Sequence, residues 1–158
     1  MAFKMLDDQK EQSYSSSDLL EFRLEIQNWL KKNKPSDPGF LLPQTFMEIG
    51  SEQVLDFLRD WQYKLWSSGY LGMSWPQEYG GRGLPRIFQQ IADEEMKSAR
   101  VPICFNIIGL GWAGPLIIDI GSEDEKRLYL KGILSGDDLW CQGFSEPNHG
   151  SDLGSIQT

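Results

Sequence analysis

Cysteine and histidine are scarce in this chain of 158 residues: there are two cysteines, Cys104 and Cys141, and a single histidine, His149. Two cysteines do not make a disulfide framework. One histidine beside them falls short of a structural zinc site, so no metal is expected. Basic residues are the minority, 15 against 23 acidic ones, for a formal net charge of −8. That argues against a nucleic-acid partner, which needs a basic surface, while leaving room for a locally basic pocket. The opening MAFKMLDDQKEQ lacks an apolar core of signal-peptide length. The stretch from Val101 to Ile118 carries no charge and approaches the length of a membrane span. Pro102, Asn106, Gly109, Gly111, Gly114 and Pro115 interrupt it, so it reads as a buried, broken helix. The expected compartment is the cytoplasm.

Familiar catalytic motifs are missing too. Ser151 sits in His-Gly-Ser-Asp, not in the G-x-S-x-G frame of a nucleophile elbow. There is no Walker loop and no G-x-G-x-x-G. The run GGRG at 80–83 has no clear strand before it, which makes it a weak phosphate loop.

What is present is a globular composition, 40% hydrophobic and 12% aromatic, long enough for one domain with a real core. Residues 1–15 are polar and expected to be loose. Ser17 or Asp18 can cap a first helix, with Glu21 in the capping-box position. Leu19, Phe22, Ile26, Trp29 and Leu30 follow at steps of three and four as one apolar stripe, and KKNKPSDPG ends it. A second helix starts near Ser51, with Val54, Phe57, Leu58, Trp61 and Leu65 facing inward. LGMSWPQEYGGRGLP at 71–85 excludes regular structure, yet Trp75 and Tyr79 should pack it on the domain. Pro85 suits the first turn of a third helix whose core face is Ile87, Phe88, Ile91 and Ala92. Glu94 and Glu95 lie near its end, the unfavourable end of the dipole for acids. They are either a solvated acidic run or a paired or functional set. The apolar stretch 102–120 is the expected central element, surrounded by the others. Ser122 caps a fifth helix in a capping box with Glu125; Leu128, Leu130, Ile133 and Leu134 form its less regular stripe, and Gly136 closes it.

After Asp137-Asp138 the pattern changes. Leu139 to Phe144 is short and aromatic-rich, as a strand is, and a single strand is not stable alone. It runs into Ser-Glu-Pro-Asn-His-Gly-Ser-Asp. Glycines at 143 and 150 allow close backbone approach, Ser145 and Ser151 supply hydroxyls, and exposed amides can form an anion nest. The same residues are also ordinary turn formers, and composition alone does not separate the two readings.

The residues WCQGFSEPNHGSDLGSIQT resemble the flavin-binding signature of acyl-CoA dehydrogenases, a strand followed by (Thr/Ser)-Glu-Pro-x-x-Gly-Ser-Asp. SSGYLGMSWPQEYGGRGLP, IADEEMKSARVP and GPLIIDIGSEDEKRLYLKGILSGDDLW resemble three further stretches of that family, in order. The likeness covers roughly residues 16 to 158. It implies an all-α, multi-helix N-terminal bundle over 16–136. The first strand and signature loop of a β-barrel-like middle domain follow over 137–158. It implies FAD as cofactor, an acyl-CoA thioester as substrate, a trans-2-enoyl-CoA as product and an electron-transfer flavoprotein as electron acceptor. A homo- or hetero-oligomer is implied at full length, without nucleic acid or a membrane span.

By the same resemblance, Gln142, Phe144, Ser145, Gly150 and Ser151 are cofactor-binding. Ser145 stands where a hydroxyl and backbone N–H reach the flavin near N5, which favours the charge arriving with the hydride. Gln142 and Phe144 face the flavin or acyl pocket. Gly150 and Ser151 approach the FAD pyrophosphate and the CoA portion, which makes Ser151 substrate-binding as well. His149 stands where a small residue is usual, and either adds a contact to CoA phosphates or points to solvent. The family's catalytic glutamate belongs to a C-terminal domain that this sequence does not contain. Glu94, Glu95 and Glu146 are not candidates by motif, so no catalytic residue is assigned. The expectation is therefore the N-terminal part of an acyl-CoA dehydrogenase, inactive by itself. The alternatives are a stand-alone helical module or non-catalytic partner subunit of the same fold, and the N-terminal part of an acyl-CoA oxidase, a nitroalkane oxidase or a flavin monooxygenase.

Overall fold

The computed structural model describes residues 14–157, apart from the side chain of Leu153. Five α-helices follow one another: α1 (Ser16–Asn33), α2 (Glu52–Ser67), α3 (Arg86–Ser98), α4 (Gly114–Ile120) and α5 (Glu123–Ser135). The loose segment expected for 1–15 falls mostly outside the described residues. Its last two members are ordered: Tyr14 packs edge-on against Phe88, and Ser15 caps α1.

Local chemistry explains the helix ends. The Asp18 amide donates to Ser15 Oγ at 3.2 Å and the Ser15 amide to Asp18 Oδ2 at 2.8 Å, a closed capping box. The cap is therefore Ser15, earlier than the Ser17 or Asp18 expected. Asp18 lies three residues after Ser15, inside the first turn, where its carboxylate can close the box. Ser51 caps α2 through the Val54 amide, and Ser122 with Glu125 caps α5, both as expected.

Helix α1 packs on α3, and α2 and α4 both pack on α5. Phe22, Ile26 and Leu30 bury one face of α1, and Leu58, Trp61 and Leu65 that of α2. Phe22, Trp29, Tyr70 and Phe88 stack at ring distances of 4.8 to 6.4 Å between α1, α3 and the 68–85 loop. That loop is part of the core, as expected: Tyr70, Leu71, Met73, Trp75 and Tyr79 are all buried. Each such side chain contributes on the order of 1.5–3 kcal/mol of transfer free energy.

Three expectations about helix faces are corrected. Ile87 is 38% exposed and Leu128 66% exposed, so neither belongs to the core. Phe88, Ile91 and Ala92 with Glu95 make the buried face of α3, while Leu130, Ile133 and Leu134 make that of α5. The 102–120 stretch is not enclosed. Trp112, Leu116 and Ile120, four residues apart, leave one apolar stripe in solvent. The central helix is instead α5, against which α2, α4, the π turn and the 77–79 turn all rest.

The interruption read at 102–120 takes a definite form. Gly109–Ala113 winds as a π turn leading into α4, closed by the Gly114 amide bonding the Gly109 carbonyl. Pro115 has no N–H to continue an α-helical ladder, which favours the wider turn. Gly114 lies under Trp75, where a Cβ would fall 2.0 Å from the indole.

No strand forms among the described residues. Leu139 to Phe144, expected as a strand, forms no ladder with another segment among the described residues, and a strand needs a neighbour to take its amides and carbonyls. The one β-type pairing is an isolated bridge between Glu146 and His149. No helix among the described residues is long and apolar enough to cross a membrane.

Candidate functional site

The expected site residues lie on the segment that leaves α5. Gly136, in the left-handed conformation at φ 86°, ends the helix. Trp140 is tied to the bundle: its amide donates to Asn106 Oδ1 at 3.1 Å, and its ring packs edge-on against Tyr129. Beyond it, Gln142, Phe144, Ser145, Gly150 and Ser151 are all exposed, Phe144 by 73%. The structure thus brings these residues together on one short loop, with no wall opposite them in this chain.

The loop holds its own shape. Glu146 and His149 exchange both backbone hydrogen bonds at 3.0 Å, with Pro147-Asn148 at the tip. Pro147 presets the backbone there. The Glu146 carboxylate accepts from the Gln157 amide at 3.2 and 3.0 Å, closing the loop from behind. His149 is gripped by its backbone and is half-buried as a residue.

Two features suit this loop to a large polar ligand. The amides of Gly150 and Ser151 make no hydrogen bond among the described residues, and such donors suit an anion. Gly143 and Gly150 adopt backbone angles open to any residue, and a Cβ at either would meet nothing within 4 Å. Nothing in the chain's own packing calls for glycine there, so both glycines suit close approach from outside. The donor set fits one edge of a flavin nucleotide and no more.

Elsewhere, other candidates are accounted for. The GGRG run makes no phosphate cradle, because the amides of Gly80, Gly81 and Gly83 bond the carbonyls of Gln77, Pro76 and Trp75. Glu95 is not a solvated acid. It is buried at the α1–α3 contact, where it accepts from Arg23 and, at 3.0 Å, from Gln27 Nε2, while Glu94 accepts from Arg23 at 2.7 Å. These acids pair two helices. The Cys104 thiol is pushed up to about 12 by burial and by nearby Asp93, which leaves it inert. An open cavity of about 280 Å³ lies between α1 and the 82–88 segment, lined by Tyr14, Glu21, Glu25, Arg82 and Phe88. It shares no residue with the 141–151 loop.

Sequence reasoning missed Gln62 and Asn106, both fully buried. Their amides bond across α2, the 101–108 segment and the end of α5. Polar residues inside apolar stripes were the only signal available.

Comparison with known proteins decides the family. Residues 44–137 match the model of the acyl-CoA dehydrogenase N-terminal domain. The chain belongs to the acyl-CoA dehydrogenase family. Within it, the chain is 36% identical over 139 residues to the acyl-CoA dehydrogenase IpdE1 of Mycolicibacterium smegmatis, covering 87% of this chain and 35% of that protein. It is 34% identical to IpdE1 of Mycobacterium tuberculosis, covering 89% of this chain and 36% of that protein. Among solved structures it resembles the Tcur3481-Tcur3483 steroid ACAD, with a TM-score of 0.66 at 32% identity over 92% of this chain and 36% of that one. It also resembles the ChsE4-ChsE5 complex from Mycobacterium tuberculosis, with a TM-score of 0.62 at 27% identity over 92% of this chain and 34% of that one. The chain therefore spans about a third of the length of these relatives. The helical bundle corresponds to the family's N-terminal domain.

Proposed function

We propose that this chain is the N-terminal helical domain (16–136) and first flavin-facing loop (137–158) of an acyl-CoA dehydrogenase that oxidises an acyl-CoA thioester to a trans-2-enoyl-CoA. The observation that carries this reading is the 141–151 loop, which follows a folded domain of the family and whose Gly150 and Ser151 amides make no hydrogen bond among the described residues. The uncovered stripe of Trp112, Leu116 and Ile120 supports it, since exposed apolar surface of this kind marks a contact with further protein. FAD, when bound, supplies hydride acceptance. This chain's part is to bind and orient: Ser145 presents its hydroxyl and amide toward the flavin ring, with Gln142 and Phe144 beside it. Gly150 and Ser151 present amides to the pyrophosphate, and Ser151 also reaches the CoA portion. Proton abstraction needs a carboxylate on another domain, and electrons pass on to an electron-transfer flavoprotein.

Likeness to a steroid ACAD points to a bulky steroid acyl group in preference to a linear one. Likeness to the two-component ChsE4-ChsE5 and Tcur3481-Tcur3483 structures favours a second reading, in which the chain works as one partner of a hetero-oligomer. The test is FAD titration by flavin fluorescence, with a dye-coupled assay on linear and steroid-side-chain acyl-CoA thioesters. The 158-residue chain alone should bind FAD weakly and turn over neither. Co-expression with a chain carrying the middle and C-terminal domains of an IpdE1-like enzyme should give retained FAD and dehydrogenation. Tight stoichiometric FAD binding with turnover by the chain alone would overturn the one-wall reading, and a partnered chain devoid of flavin would overturn the role of the loop.

A further inference from the structure

Helix α5 ends with carbonyls that have no partner inside the helix, as every helix does. Here two buried amides from elsewhere satisfy them. Gln62 Nε2 donates to the Ile133 and Leu134 carbonyls at 3.0 and 3.2 Å. Asn106 Nδ2 donates to the Ile133 carbonyl at 3.1 Å and to the Asp138 carbonyl at 2.8 Å, and Asn106 Oδ1 accepts from the Trp140 amide at 3.1 Å. The Asn106 backbone N–H donates to Gln62 Oε1 at 3.4 Å, which links the two amides. Asn106 thus grips both the end of α5 and the first residues beyond it. Gly109 makes its seat: a Cβ at 109 would fall 2.6 Å from both Nδ2 and Oδ1. Past Trp140 no residue up to Ser145 bonds back to the bundle among the described residues.

We propose that Asn106, seated on Gly109, is the positioning residue that sets the direction in which the 141–151 loop leaves the helical domain. Resting on the flavin-wall reading above, it thereby places Ser145 against its ligand. The five steps from Trp140 to Ser145 reach at most roughly 17 Å, at about 3.3 Å per residue for a fully extended chain. At that reach a tilt of about 10° at Trp140 moves Ser145 by roughly 3 Å, well beyond the ~0.5 Å tolerance of a productive site.

The test is residue-resolved amide exchange on the 158-residue chain without cofactor. Asn106→Ala should speed exchange of the Trp140 amide at least tenfold more than that of the Leu58 and Leu65 amides in α2. Gly109→Ala should do the same, although Gly109 bonds neither Asp138 nor Trp140, and in the Asn106→Ala background it should add nothing. Asn106→Asp keeps the shape and the acceptor but sets a carboxylate against two carbonyls. Its Trp140 protection, measured against the intrinsic exchange rate at each pH, should be low at neutral pH and recover as the carboxyl protonates and regains a donor, a change in protection absent from the wild type. Trp140 exchange that rises only in step with α2, an additive effect of Gly109→Ala, or a flat profile in the aspartate variant each overturns the proposal. Because no flavin is present, a confirmed hinge alongside a chain that never supports FAD binding would remove the flavin reading alone. FAD retention with an unresponsive hinge would remove this proposal alone.

Discussion

Replacing Gln62 by leucine should unfold much of this domain's margin of stability. Gln62 is fully buried on α2 and donates to the carbonyls of Ile133 and Leu134 while accepting from the Asn106 amide. Leucine has a similar volume, so no cavity opens. After the change Ile133 keeps a donor in Asn106 Nδ2, but the Leu134 carbonyl and the Asn106 N–H lose theirs. Two buried groups left without partners cost about 1–3 kcal/mol each, offset by about 1 kcal/mol from the more apolar side chain. The net expectation is a loss of about 2–4 kcal/mol, against a typical total of about 5–15 kcal/mol. At about 2–4 °C per kcal/mol for a domain of this size, the Tm should fall by about 5–15 °C. Urea unfolding followed by far-UV circular dichroism and tryptophan fluorescence reads this as a lower midpoint with unchanged slope. Gln62→Glu, which keeps the acceptor and turns a carboxylate on two carbonyls, should be worse at neutral pH and partly recover in acid. A leucine variant within about 1 kcal/mol of wild type would refute the reasoning, because water would then be reaching the end of α5.

Stability should be limited by pH from both sides. The carboxyls of Asp18, Glu123 and Glu125 are held below their ordinary values by bonds to the Ser15 backbone, the Tyr79 hydroxyl and the Ser122 backbone respectively, so their contribution is present above about pH 4.5 and is lost as pH falls through the folded values. Tyr70 is raised above its ordinary value of 10.0 by burial and by Glu25, and Tyr79 by Glu123, so theirs is present below that pH and is lost as pH rises through the folded values. Tm measured from pH 3 to 11 should show a plateau between, with Tyr79→Phe lowering the plateau and flattening the acid limb, because Glu123 then loses the bond that holds it below its ordinary value. Thiol labelling at pH 8 should modify exposed Cys141 well before half-buried Cys104, whose thiol is also pushed up; equal rates in the folded chain would contradict the shielding of Cys104. Gly72→Ala, whose Cβ would fall 2.3 Å from Leu134 at a positive φ of 68°, should cost at least about 2 kcal/mol, whereas Gly150→Ala should leave the Tm within about 1 °C.

The helices were legible in the sequence because their chemistry is local. Serine caps, glutamate three residues on and stripes at steps of three and four all lie within one segment, and α2 and α5 begin where those signs place them. Face assignments failed where hydrophobicity alone was used. Ile87 and Leu128 are apolar, but the rotation of α3 and α5 is set by what they pack on, and both residues turn outward. The enclosure expected for 102–120 failed for the same reason. A run without charge says nothing about how many neighbours are available to cover it, and in this chain Trp112, Leu116 and Ile120 have none. The Gln62–Asn106 pair was illegible because its partners are 27 to 72 positions away. No window along the chain shows which carbonyls a buried amide will meet.

The 141–151 loop was singled out in the sequence for a different reason, its resemblance to the flavin-binding signature of the family. Gly72, Gly109 and Gly114 are each required by a neighbour that a Cβ would strike, respectively Leu134, Asn106 and Trp75. Gly143 and Gly150 are required by none, and their backbone angles need no glycine. The same contrast separates amides bonded within the bundle from those of Gly150 and Ser151, and the buried aromatics from Phe144, exposed by 73%. Composition could not tell a binding loop from a turn, since both draw on the same residues. Packing can: a turn that serves only its own chain shows the constraint in its own contacts. Here the loop's own contacts are the Glu146–His149 bridge and the Glu146–Gln157 bonds, and they ask for no glycine at 143 or 150.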